Sequence, residues 1–216
     1  MKYLVILLLA MVCESSIAQN TSLPEASLSS PLADYSSEWN KPVYTNCNTA
    51  AKAIYMNDRE REVIYILNLA RSYPKLFANT VLTKYPSLSG NDDLANNQYY
   101  YQSLVKEMLA MGQVPLLNAD EKCFTSAACH AKTSGKSGYT GHTRKSAECK
   151  AKEYFSAECC DYGNEEPFEI VLSLLIDKDV SSLGHRRALL GNYTRVGVSI
   201  QPHKTYRYSS VLDFDY

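Results

Sequence analysis

The sequence predicts an α+β fold, with helices gathered early in the chain and strands at its end. Three observations predict it. Apolar residues recur at helical spacing from about Asp58, from Tyr99 and from Asp120. From Thr194 onward the pattern changes to alternation, with Val196, Val198 and Ile200 on one face. A second alternating run, Tyr206 to Phe214, follows at once and reads as the partner strand of a hairpin across Pro202-His203-Lys204. Helices first and hairpin-linked strands last favour a layered α+β domain over a doubly wound one. With 216 residues, 45% of them hydrophobic, the chain has enough material for one core.

The first elements concern export. Lys2, the apolar run Tyr3 to Val12 and the small-x-small site Ser16-Ile17-Ala18 read as a signal peptide over residues 1–18. The run is too short to span a bilayer. A lipidated Cys13 is the rival reading, but Met11-Val12 stands where such a site has small residues. Residues 19–50 are rich in Ser, Pro, Asn and Thr without a period, and read as a linker or extended arm. Trp39, the only tryptophan, is the residue suited to tack that arm onto the domain at 51–216.

Within the domain, Asn57 or Asp58 caps a helix to Ser72, with Val63, Ile66, Leu67 and Ala70 inward. Pro74 ends it and starts a short second helix through Phe77, and residues 84–97 are polar and loop-like. Tyr99 to Met111 is amphipathic, with Leu104, Val105, Met108 and Leu109 inward and Gly112 as its stop. Asn118-Ala119-Asp120-Glu121 has capping-box spacing for an alanine-rich helix to about Thr133, broken up by Gly135, Gly138 and Gly141. Pro167 opens a helix whose run Phe168 to Ile176 is apolar all round and therefore buried. Gly184-His185-Arg186-Arg187 reads as a turn and a short basic helix, closed by Gly191-Asn192 before the first strand.

A formal net charge of −1 excludes an extended nucleic-acid surface, which requires clustered Lys and Arg. Export makes the six cysteines after Cys13 read as disulfides, the adjacent Cys159 and Cys160 bonding to different partners. With no C-x-x-C pair, a cysteine zinc site is disfavoured, and an oxidising compartment disfavours a cysteine nucleophile. Of four histidines, His130 reads as a packing or surface residue and His203 as a solvated turn residue. His142 and His185 each follow a glycine, and Glu158 lies between them in sequence. A lone imidazole is more often structural than functional, yet two imidazoles and a carboxylate can hold a metal or exchange protons.

These segments, in their order, resemble the CAP superfamily (the SCP domain of cysteine-rich secretory proteins, antigen 5 and pathogenesis-related proteins), in a bacterial-like form. The resemblance rests on Asn68-Leu69-Ala70-Arg71, Pro115-Leu116-Leu117-Asn118 and Gly141-His142-Thr143. It continues through Ala157-Glu158 to Gly163, Gly184 to Leu190 with Tyr193 to Val198, and Val211 to Phe214. It implies a three-layer α-β-α sandwich with a small, mainly antiparallel sheet. It also implies a cleft with two histidines, His142 and His185, and two acids, Glu158 and either Asp177 or Asp179. Zinc or another divalent cation on His142 and His185 is the implied cofactor. The implied partners are a small-molecule, lipid or extracellular ligand met outside the cell, the chain being secreted or periplasmic. The chain departs from the family pattern at Leu175-Ile176, where a tryptophan is usual, and at Cys159, where Asn is usual. A metal-assisted hydrolase acting on a peptide or ester, and a purely structural or interaction module, are the competing readings. The hydrolase lacks an evident nucleophile, since Ser181 and Ser182 have the setting of ordinary turn residues.

Overall fold

A computed structural model describes residues 29–90, 94 and 98–216. The signal-peptide reading of 1–18, the first part of the arm and most of 91–97 lie outside the described residues. Among the described residues, no helix is long and apolar enough to cross a membrane.

The elements run α1 (Asp58–Ser72), α2 (Pro74–Phe77), a π-helical turn (Ala78–Leu82), α3 (Thr83–Leu88) and α4 (Tyr99–Ala110). They continue with β1 (Asn118–Ala119), α5 (Glu121–Ser137), α6 (Ala147–Ala151), β2 (Ala157–Tyr162), α7 (Pro167–Ile176) and α8 (Gly184–Leu189). The hairpin β3 (Arg195–His203) and β4 (Arg207–Asp215) closes the chain. The four strands form one sheet in the order β1-β3-β4-β2, antiparallel except where β1 runs parallel to β3.

The sheet is the middle of three layers, because both of its faces are apolar. Val196, Val198, Leu212, Phe214 and Cys159 point into a large core with Val63, Ile66, Leu67 and Ala70 of α1 and Ile170, Val171 and Leu174 of α7. The opposite face carries Val211 and Cys160, which meet Ala127 and Ala131 of α5. Small residues let α5 lie directly on the sheet. A Cβ on Gly197 of β3 would stand 1.9 Å from the Phe124 backbone nitrogen, and one on Gly135 would stand 2.2 Å from the Pro202 carbonyl oxygen. Neither obstacle is a flexible side-chain tip, so the strand and helix would have to part. Gly197→Ala is expected to cost about 3 kcal/mol by overpacking. Urea unfolding measures this, and a loss below about 1 kcal/mol would contradict so close a strand–helix contact.

Local signals explain most boundaries. Asn57 caps α1 in a complete capping box: its side chain accepts from Glu60 N at 3.0 Å, and the Glu60 carboxylate accepts from Asn57 N at 2.9 Å. The cap of α5 is Asp120, which accepts from Lys122 N and Cys123 N, both at 2.9 Å. Asn118-Ala119, expected to begin that cap, forms β1 instead, with Asn118 N and Asp120 N donating to Thr194 O and Val196 O. The helix runs through Gly135 and stops at Gly138, which is left-handed at φ 75°. In α4, Leu104 and Met108 are buried while Leu109 is exposed, so its inward stripe is narrower than expected. Thr83–Leu88 is helical where a loop was expected to begin, and it contains Pro86.

Of the segment read as a linker or arm, residues 29–50 lie against the domain in short turns, including 3₁₀ turns at Ser37–Asn40 and Pro42–Cys47. Leu32, Trp39, Cys47 and Ala50 enter the core. Trp39 does fasten this segment: its indole N–H donates to Thr80 Oγ1 at 3.0 Å, and its ring meets Tyr44 and Tyr73.

The cysteine expectation is corrected. Among the described residues one disulfide, Cys129–Cys149, joins α5 to α6, while Cys47, Cys123, Cys159 and Cys160 are buried free thiols. Alternation along β2 explains why the adjacent pair stays apart from each other and from the rest. Cys159 points into the α1–α7 core and Cys160 toward α5, so the sheet separates them.

Candidate functional site

The site forms around β2, an edge strand of the sheet. Glu158 of β2 lies opposite Asp213 of β4 in register, on the face toward α5. His142 is carried by the loop after α5, and that loop is pinned from two sides. Tyr162 Oη accepts from Gly141 N at 2.8 Å, and His130 Nε2 donates to the Gly141 carbonyl at 2.8 Å. Gly141 is left-handed at φ 113°, a backbone shape that favours glycine. His142 Nδ1 then meets Glu158 Oε1 at 2.8 Å.

His185 comes from the other face. Asp177 ends α7 in a left-handed conformation (φ 55°), and its carboxylate caps α8: Oδ2 accepts from His185 N at 2.9 Å and from Arg186 N at 3.3 Å. Its Oδ1 meets His185 Nδ1 at 2.7 Å. The turn therefore places the backbone and the imidazole with one side chain. Leu183, at φ 50°, supplies the left-handed residue of this turn, and Gly184 is already helical, so the expected glycine turn is a leucine turn. Arg186 locks the motif from below, donating from Nε to Leu175 O at 2.6 Å and from Nη2 to Ile176 O and Tyr100 O.

The structure thus assembles all four residues expected from the sequence. His142–Glu158 and His185–Asp177 are two imidazole–carboxylate pairs, with ring centroids 6.2 Å apart across the end of β2. Asp177, rather than Asp179, is the acid at His185. Both carboxylates are buried, with side chains 2% and 1% exposed, while His142 is 57% and His185 24% exposed. The acids hold Nδ1 of each ring from inside. Nε2, across the ring from Nδ1, is the atom left to meet a ligand. A cleft of about 450 Å³ adjoins His185, lined among others by Asp177, Cys160, Tyr162, Tyr85 and Leu94.

The electrostatics of this floor rest on one cation. Arg144, 2% exposed, donates from Nη1 to Glu158 Oε2, and from Nη2 to Asp213 Oδ2 at 3.1 Å and Ser126 Oγ at 3.2 Å. Burial pushes Glu158 upward, but the His142 hydrogen bond and the Arg144 charge outweigh it and hold Glu158 below the usual carboxylate range. Asp213, buried and facing Glu158, is raised well above that range. The hydrogen bond to Glu158 raises His142 above an ordinary histidine.

Several residues escaped the sequence reading. Arg144 and Asp213 carried no signal there, since a single arginine and a strand aspartate are unremarkable in sequence. His130 is buried and orders the His142 loop. A ring nitrogen of His130, a carboxylate oxygen of Glu158 and the Cys160 sulfur lie within 4.8 Å of one another, a set that could hold a metal ion. His203, expected in solvent, is 4% exposed at the end of β3: its Nε2 donates to Tyr139 O, and its Nδ1 accepts from Thr205 N and Tyr206 N. The hairpin turn accordingly lies beyond it, at 204–206. Ser181 and Ser182 are exposed turn residues. Comparison with known proteins finds no family model, no curated protein and no solved structure that matches this chain.

Proposed function

We propose that this chain is an exported CAP-type domain, secreted or periplasmic, whose cleft binds a divalent metal ion through Nε2 of His142 and of His185. One observation carries the reading: each ring is held at Nδ1 by its own buried carboxylate, with the two rings 6.2 Å apart. A carboxylate behind a histidine fixes its tautomer and raises its basicity as a ligand, the arrangement found behind metal-ligating imidazoles. The donors fit a borderline ion such as zinc, with Glu158 and Asp177 as orienting residues rather than ligands. The ion would act as a Lewis acid or anchor for a small, lipid or other extracellular ligand in the adjoining cleft. The disulfide between Cys129 and Cys149 agrees with an oxidising compartment.

Calorimetry with zinc tests this. His142→Ala and His185→Ala are each expected to remove the zinc-binding event at the cleft, and Asp177→Asn to weaken it about 10–100-fold by releasing the His185 ring. Unchanged binding in both alanine variants sinks the proposal. That outcome favours the competing structural reading, which rests on the same hydrogen bonds: each imidazole already satisfies a buried acid.

A further inference from the structure

A second donor set lies under the first, on the α5 face of β2. Glu158 and Cys160 are two residues apart in a strand, so their side chains share a face, and His130 projects onto that face from α5. A nitrogen of His130, an oxygen of Glu158 and the Cys160 sulfur all fall within 4.8 Å of one another. His142 Nδ1 stands beside them, 3.8 Å from Cys160 Sγ and 2.8 Å from Glu158 Oε1. Ligands held 2.0–2.3 Å from a tetrahedral ion are about 3.5 Å apart, so the set must draw in by about 1 Å at its widest to enclose one.

We propose that His130, Glu158 and Cys160 form a thiolate-containing site for a zinc-like ion, with His142 Nδ1 at its fourth corner. Three features of the surroundings support it. The Gly141 carbonyl can only accept, so His130 Nε2 carries the proton and the other ring nitrogen a free lone pair; a backbone carbonyl behind the ring is a common partner of a metal-bound histidine. Arg144 engages Oε2 of Glu158, which leaves Oε1 as the oxygen that faces the histidines. Cys160 also lines the cleft beside His185, which gives an ion a way in to an otherwise buried thiol. Binding replaces the S–H bond with a sulfur–metal bond and releases that proton to solvent, while the proton that His142 Nδ1 shares with Glu158 Oε1 moves to Nε2 of the same ring. Sulfur, imidazole and carboxylate together select zinc or cobalt over magnesium or calcium. This site stands apart from the cleft proposal in leaving out His185, and it competes with that site, because it takes as ligands the two atoms, His142 Nδ1 and Glu158 Oε1, whose hydrogen bond orients His142 there.

Cobalt(II) titration of the full chain, without added thiol, tests it. Wild type is expected to develop a thiolate-to-cobalt charge-transfer band in the near ultraviolet, saturating with one equivalent. Cys160→Ser loses the band, whereas Cys159→Ser, whose sulfur points to the opposite face, keeps it, as does His185→Ala. Near-ultraviolet circular dichroism checks that each variant is folded. If Cys160→Ser does not fold, His130→Gln serves instead and is expected to weaken the band's apparent affinity at least tenfold. Cobalt binding by wild type without the band, or a band that survives Cys160→Ser, overturns the site. In the first case, loss of binding in His185→Ala would still leave the cleft proposal standing.

Discussion

Replacing Arg144 with methionine is expected to destabilise the chain by about 3–5 kcal/mol near pH 8, the cost of leaving buried charge without its partner. The side chain is 1% exposed and sits between two carboxylates, Glu158 at 2% and Asp213 at 0%, which face each other across β2 and β4. Methionine fills the volume, and keeps contact with Phe155, over which the guanidinium now lies 4.7 Å from the ring centroid. What it cannot do is neutralise the buried Glu158, which stays ionised while Asp213 holds its proton. Adding Asp213→Asn to Arg144→Met should recover little of the loss, because Asp213 already holds its proton near pH 8 and the charge left without its partner is that of Glu158. Urea unfolding of the single and double variants gives the coupling directly. A single variant within about 1 kcal/mol of wild type would contradict the role of Arg144.

The same cluster fixes the sign of the pH dependence. Burial and the facing Glu158 raise Asp213 from 3.8 to about 9, so across that window the native chain holds a proton that the unfolded chain has released. Stability therefore falls as pH rises through the window, with a slope of up to about 1.4 kcal/mol per pH unit from this one group. His142, also raised, acts in the same direction once the pH passes its ordinary value of 6.5. Glu158 is lowered, so its contribution is present above about 4.5 and is lost only in acid. His130 is lowered, mainly by burial, and adds stability with rising pH only below 6.5. Between about pH 6.5 and 9 the net trend is thus downward, and Asp213→Asn should flatten it. Chemical denaturation at several pH values measures the slope; a flat wild-type profile would contradict a protonated Asp213.

What the sequence revealed and what it hid follow from the period of each element. Helix α1 was legible from about Asp58 to Ser72 through its regular apolar stripe, with Asn57 or Asp58 as its cap; the structure selects Asn57, in a reciprocal cap with Glu60. The hairpin was legible from Val196, Val198, Leu212 and Phe214, but its turn was misplaced. Pro202 and His203 resemble turn residues, while in the fold β3 continues through both and pairs them with Tyr208 and Arg207. Strand β2 was hidden altogether. Ala-Glu-Cys-Cys-Asp-Tyr has no β-branched residue and places an acid on each face, so neither strand propensity nor alternation reveals it. Missing β2 concealed two facts: that Glu158 and Cys160 share a side, and that Asp213 lies opposite Glu158. The four expected site residues came from ordered motifs, while the residues beneath them depend on register, which spacing in one chain does not encode.

Arg71→Met is expected to cost about 3 kcal/mol or more, through acceptors it leaves bare rather than through contacts it removes. Arg71 is fully buried at the end of α1, with no carboxylate among its hydrogen-bond partners. Its guanidinium donates to three carbonyls: Pro115 through Nε at 3.1 Å and Nη2 at 2.7 Å, Leu189 through Nη1, and Tyr193 through Nη2 at 2.9 Å. Burial lowers its pKa only to about 10, so it stays charged at neutral pH. One turn earlier, Asn68 donates to Leu117 O at 2.9 Å and Cys47 O at 3.1 Å and accepts from Leu117 N at 2.8 Å. Helix α1 thus uses two polar residues, three apart on one face, to position the segment entering β1 and the end of α8. Arg71→Lys should recover only part of the loss, since an ammonium lacks the planar fork that reaches three carbonyls at once. Urea unfolding ranks the variants, and amide exchange at Asn118 and Asp120 should quicken most in Arg71→Met, because those amides hold β1 to β3. Equal stability of Arg71→Met and wild type would show the three carbonyls finding other donors. If the loss is as expected, Asn68-x-x-Arg71 and Gly184-His185 depend on each other: the helix that carries His185 ends on a carbonyl that Arg71 holds.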